Sequence, residues 1–124
     1  MRVIQREDLT KIHLPGRVIE KAVGKDSLSI SEEMTVGFGH YSDQSGPMEP
    51  HRHAEEVVFI VSSKAGRIRY GKDPESLDVI VPLQTGMILH IPEAEWHVFE
   101  FDPDGHVEII FIYGRVDNIR GEDD

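Results

Sequence analysis

At 124 residues with a formal charge of −10 and no cysteine, the chain has the length of one domain and is large enough to bury over ~60% of its unfolded surface. The missing thiols exclude disulfides, thiolate zinc sites and cysteine nucleophiles, leaving His, Asp and Glu as candidate metal donors. The acidic balance repels phosphate backbones, and the 13 basic residues are scattered instead of clustered with aromatics, so no nucleic-acid partner is expected.

In chain order, the opening MRVIQREDLTK alternates charge with short apolar pieces and has no apolar run suited to a signal peptide. No later segment is apolar enough to span a bilayer, so a cytoplasmic protein with no membrane partner is expected. Residues 1–24 read as an edge segment, with "RVI" and "VIEKAV" suited to pairing across a twofold axis in a homodimer. Val18–Val23 is the one place where a turn of helix is expected, held short by Pro15, Gly16 and Gly24. Short runs of β-branched and aromatic residues follow, punctuated by Gly, Pro, Asp and Ser. They predict strands at Leu28–Ile30, Met34–Tyr41, Val57–Val61, Arg67–Tyr70, Leu77–Val81, Met87–Ile91, His97–Phe101 and Val107–Tyr113. Such density of short strands predicts an all-β antiparallel sandwich or barrel in a single domain, 1–124, with 117–124 as a flexible tail.

Parity assigns faces to some strands. Met34, Val36 and Phe38 share a parity with His40, which predicts His40 inward, and His97 shares an apolar face with Phe99 and Phe101. Two stretches carry candidate chemistry. In "PMEPHRHAEEVVFIV", residues 47–61, His51 and His53 face the same way if the backbone is extended, and two glutamates follow. In "GMILHIPEAEWH", residues 86–97, Gly86 ends a turn, five strand residues follow, Pro92 stops them, and a hairpin is expected to return His97 to the interior. Three imidazoles and one carboxylate suit a divalent first-row metal with one or two open positions.

These stretches resemble the two motifs of the cupins. Gly46 through Glu56 looks like the first. Gly86 through His97 looks like the second, Gly-x5-Pro-x-Gly-x2-His, with Ala94 in place of its second glycine and Phe101 in place of its final asparagine. The first motif is shorter than the family pattern between His53 and the glutamate. Alignment from the apolar strand selects Glu56, uninterrupted strand alternation selects Glu55, and Glu56 is preferred because corners and bulges are common at barrel rims. The closing glycine of the motif falls near Ser63, with Gly66 late, so a longer turn is expected there. The resemblance implies a jelly-roll barrel (a double-stranded β-helix), usually dimeric, holding iron, manganese, nickel, zinc or cobalt on His51, His53, Glu56 and His97. It implies activities of oxygenase, isomerase or lyase type on a small molecule, and equally members that bind a ligand without turnover; the fold does not choose among them.

Other residues are weighed against blander roles. His40, with the neighbourhood of Tyr41, is the expected place for a proton shuttle or for a partner to a ligand imidazole. His90 has no clear direction, His13 and His106 are expected to be exposed, and Trp96 is expected to pack beneath the hairpin. Arg67 and Arg69 share one strand face, where they either grip an anion or pair with acidic neighbours. No phosphate loop, Ser-His-Asp order or nucleotide fingerprint is present.

Overall fold

The computed structural model describes residues 1–120. Eight strands carry the fold: β1 (Lys11–Leu14), β2 (Arg17–Gly24), β3 (Ser29–Ile30), β4 (Thr35–Ser42), β5 (Glu56–Gly71), β6 (Val79–Pro82), β7 (Ile88–Ile91) and β8 (Trp96–Tyr113). Helical structure among the described residues is limited to 3-10 turns at Arg6–Asp8 and Asp43–Ser45, and no helix is long and apolar enough to cross a membrane. The hydrogen-bonded order is β1-β2-β4-β8-β5-β6, with β3 on β2 and β7 on β5. All pairings are antiparallel except the short β2–β3 contact.

The two long strands make this a jelly-roll. The first half of β5 lies between β7 and the C-terminal half of β8, while its second half lies between β6 and the N-terminal half of β8. Each long strand therefore serves two sheets that fold over a common interior. Val58, Ile60, Val107 and Ile109 lie at the centre of that interior and are fully buried. Continuity of β5 overturns the longer turn expected near Ser63 and Gly66: Val57–Val61 and Arg67–Tyr70 belong to one strand. The bend is made instead by register shifts between Ile60 and Ser62 and between Lys64 and Gly66, which turn a strand without ending it. Gly66 is required at this corner, because a Cβ there would lie 2.5 Å from Ser63 Oγ.

The predicted turn of helix at Val18–Val23 is strand. In β2, Arg17, Ile19 and Lys21 face the interior, while Glu20 is covered on the outer face by Arg6, an alternation with the period of a strand. The N-terminal segment is thus held to the outer face, with Arg6 paired to Glu20 at 3.1 Å and to Glu108, its guanidinium 4.1 Å from the centre of the Phe38 ring.

The parity reading of β4 is reversed. Thr35, Gly37, Gly39 and Tyr41 are buried, and Val36, Phe38 and His40 lie on the outer face. Glycine is needed inside because Phe111 crosses there: a Cβ on Gly37 would come within 2.6 Å of Phe111 Cζ. The hairpin expected between Met87–Ile91 and His97 is also replaced. β7 pairs with β5, not β8, and residues 92–95 form a corner that carries the chain from one sheet to the other.

Candidate metal centre

The loop that carries His51 and His53 is pinned on three sides. His51 and His97 exchange backbone hydrogen bonds, each 3.0 Å, so the loop continues the edge of β8. The N–H of Ala94 donates to the carbonyl of His53 at 2.9 Å, and that of Ala54 donates to the carbonyl of Ile119 at 2.8 Å. Arg52, between the two histidines, points away and lies over the Trp96 ring. Extended backbone thus turns both imidazoles inward, and the corner after Pro92 delivers His97 to the same point. His97 is 1% exposed and His53 7%.

A ring nitrogen of each of the three lies within 4.8 Å of those of the other two. The protonation pattern follows from their outer partners. Nδ1 of His51 faces the Glu49 carbonyl at 3.0 Å, Nδ1 of His53 the Ala54 carbonyl at 2.8 Å, and Nδ1 of His97 the Glu95 carbonyl at 2.8 Å. A carbonyl only accepts, so each Nδ1 carries the proton and each neutral ring presents its Nε2 lone pair. The Nε2 atoms of His53 and His97 are 3.0 Å apart. Two lone pairs at that separation repel unless a proton or cation lies between them. Burial, together with the neighbouring His97, pushes His51 down to about 3, and burial lowers His97 as well, which favours the neutral rings that ligate a metal. The donor set therefore fits a metal ion.

Glu56, the first residue of β5, turns inward and is 5% exposed, with Oε1 3.4 Å from His53 Nε2. Glu55 turns outward and hydrogen-bonds the exposed His90 at 2.6 Å. Burial raises the Glu56 carboxyl to about 7, against a hydrogen bond donated by the Tyr113 hydroxyl and the fields of Arg120 and Arg17. Tyr113 packs edge-on against His53, with ring centroids 5.3 Å apart, and Tyr41 stacks on Phe99. Burial holds both phenols above their usual range, so they remain donors.

His51, His53 and Glu56 open on a cavity of about 750 Å³. Its walls include Arg17, Ile19, Tyr41, Phe111, Tyr113 and residues 116–120. The segment read as a tail from residue 117 runs along this cavity as far as Arg120; the GEDD end lies outside the described residues. His40 is not part of the site. Its imidazole lies on the opposite face of β4, 3.9 Å from Glu108 and stacked on His106, because β4 presents the other parity to the interior. His106, expected to be exposed, is instead half-buried against Ser62 at 3.0 Å; His13 is exposed. Arg67 pairs with Glu100 and Asp102, and Arg69 with Glu100, which accounts for that pair without an anion. Tyr113, Arg17 and Arg120 are the site residues that sequence reading missed; each lies far along the chain from both motifs, and only the parity of β2 and β8 could have pointed to the first two.

No family model and no curated protein matches the chain, whereas solved structures do. The polyketide cyclase RemF from Streptomyces resistomycificus is 16% identical, with 90% of this chain and 78% of that one aligned at a TM-score of 0.71. A protein from Planctomyces limnophilus is 14% identical over 94% of this chain and 91% of its own, at 0.72. The oxalate decarboxylase of Bacillus subtilis, which has Mn(II) centres, is 17% identical over 92% of this chain at 0.67, and the chain spans 29% of its length. At these identities the likeness is one of fold, and the fold is the cupin jelly-roll.

Proposed function

We propose that this protein is a metal-dependent enzyme acting on a small organic molecule in the barrel cavity, with one divalent transition metal held by His51, His53, Glu56 and His97. The observation that carries the reading is the convergence of three imidazoles, His53 and His97 buried and His51 half-buried, whose Nδ1 atoms are each committed to a backbone carbonyl. That arrangement fixes ring orientation and tautomer, as partners of metal-bound imidazoles do. The Mn(II) centres of the similarly folded oxalate decarboxylase are consistent with such a site. A bound divalent ion would act as a Lewis acid toward a carbonyl or carboxylate oxygen of the substrate.

The chain's own groups supply the rest. Tyr113 donates to Glu56 and so orients its carboxylate, whose Oε1 lies 3.4 Å from His53 Nε2. Tyr41, buried beside the same carboxylate, is a phenol available to donate to a substrate oxygen. Phe99, Phe111 and Ile119 give the space an apolar part of its wall. The expected assembly is a homodimer, for which the outer-face residues Phe59, Ile88 and Ile112 supply exposed apolar surface.

Metal analysis of protein purified without added metal, followed by titration of Mn(II), Fe(II), Zn(II), Co(II) and Ni(II) into chelated protein, tests the reading. His97→Ala and Glu56→Gln are expected to lose metal under conditions where Glu55→Gln retains it. Retention by Glu56→Gln with loss by the histidine variants would mean a three-histidine centre and a different role for the carboxylate. Failure of every ion to bind or to raise the melting temperature would refute the metal assignment.

A further inference from the structure

Among the described residues, the charge lining the cavity is opposite in tendency to the charge of the chain. Against a total of −10, the walls carry Arg17, Lys21, Lys25 and Arg120 facing Asp26, Asp117 and Glu56. Several of these belong to the rim: Lys25 and Asp117 are exposed and pair with each other at 2.8 Å, and Asp26 is exposed. Deeper in, Arg17 and Arg120 are half-buried. Both act on the buried Glu56 and Tyr41, and the field of Arg120 also reaches His51 and His97. Arg17 from β2 and Arg120 from the C-terminal segment thus line the same cavity as His51, His53 and Glu56, on elements that meet only in the folded barrel. Each guanidinium offers five donors in a planar fork, so it can serve a ligand together with a protein acceptor. A low-dielectric wall of Ile19, Phe111 and Ile119 strengthens any charge pairing made beside it.

We propose that the cavity selects a small organic carboxylate with an apolar body, the carboxylate received by Arg17 and Arg120 and the body packed on Ile19, Phe111 and Ile119. This rests on the metal-enzyme reading of the same cavity and names its substrate class. A carboxylate matches the guanidinium fork in geometry as well as charge, and the space of about 750 Å³ holds a molecule larger than a bare anion.

The test is calorimetric titration of the full chain loaded with Mn(II), using benzoate, phenylacetate and hexanoate against their neutral amides. The acids are expected to bind about tenfold or more tightly than the amides, as loss of a hydrogen bond to a charged group implies. Arg17→Gln and Arg120→Gln are each expected to weaken the acids by about tenfold and leave the amides unchanged, while Lys64→Gln, on the outer face, changes neither. Arg17→Lys and Arg120→Lys keep the charge, serve if the glutamine variants fail to fold, and are expected to retain part of the preference. Equal binding of acid and amide, acid binding indifferent to both arginines, or no acid binding at millimolar concentration overturns the proposal. The same titration on metal-free protein separates the two readings. An arginine-dependent preference for acids in a chain that takes up no Mn(II) leaves the substrate class standing without the metal. Uptake of Mn(II) with no such preference does the reverse.

Discussion

Glu56 sits in a position where two demands oppose each other. Its carboxylate must be ionised to bind a cation, yet burial raises its pKa from the ordinary 4.5 to about 7. Without metal, the folded chain holds a proton there that the unfolded chain has released between those two values. The native state then binds more protons, so stability falls as pH rises from about 4.5 to about 7 and stays lower above it. Urea unfolding in the presence of chelator should therefore find Glu56→Gln more stable than the parent at pH 8, by up to about 3 kcal/mol, and the difference should shrink toward pH 5. Added Mn(II) should reverse the order, since only the parent keeps the carboxylate. An unchanged difference at the two pH values would mean that the carboxyl is solvated. The sequence left Glu55 and Glu56 as alternatives because local alternation and strand alignment disagreed by one residue. The structure turns Glu56 inward because β5 begins there, with Val58 and Ile60 on the same parity and buried.

At the level of elements, corners and straps decide the placement of the site. Ala94 occupies the corner between β7 and β8 with φ of 66°, at the position where the resembling motif has glycine. A left-handed alanine costs roughly 1–2 kcal/mol, and glycine gives back roughly 0.5–1 kcal/mol of that in chain entropy. Ala94→Gly should thus raise stability by about 0.5–1 kcal/mol, read as a rise of a few degrees in melting temperature by calorimetry; a fall would mean that the Cβ makes a contact that outweighs the strain. The strap at Arg6 works in the opposite direction. Glu20 is 5% exposed, and its carboxyl loses its guanidinium partner when Arg6 is removed. Arg6→Ala should cost about 1–3 kcal/mol by leaving that acid underpaired, measurable by urea unfolding at pH 7, and Arg6→Ala with Glu20→Gln should recover part of the loss. Strand positions were legible because β-branched runs and their flanking glycines and prolines act locally. The face of β4 was not: Val36 and Phe38 are apolar and outward, and Phe38 is covered by Arg6, which lies far away in sequence.

For the whole molecule, the outer sheet face combines Phe59 opposite Ile88 and Ile110 with Ile112, and Ile88 is 69% exposed. Apolar side chains on a sheet face are more stable when covered. A homodimer is accordingly expected, of twice 14.1 kDa, by light scattering at micromolar concentration. Ile88→Lys should shift it toward the monomer while leaving Mn(II) binding intact, because Ile88 lies on the far side of β7 from the cavity. A monomeric parent at that concentration would remove the expectation.

By itself, the sequence determined the all-β class, most of the strands, the two histidine-bearing stretches and the inward direction of His97. Those properties are carried by composition, by the period of two and by spacing within a dozen residues. Tertiary structure decided what depends on strands distant in the chain meeting across the barrel. It joined pairs of predicted strands into β5 and β8, because bulges bend a strand that stays hydrogen-bonded on both sides. It turned His40 outward and Tyr41 inward, because β4 had to leave room for Phe111 of β8. It brought Tyr113 to Glu56 and set Arg17 and Arg120 in the wall of the same cavity, because sheet closure places β2, β8 and the C-terminal segment around one space.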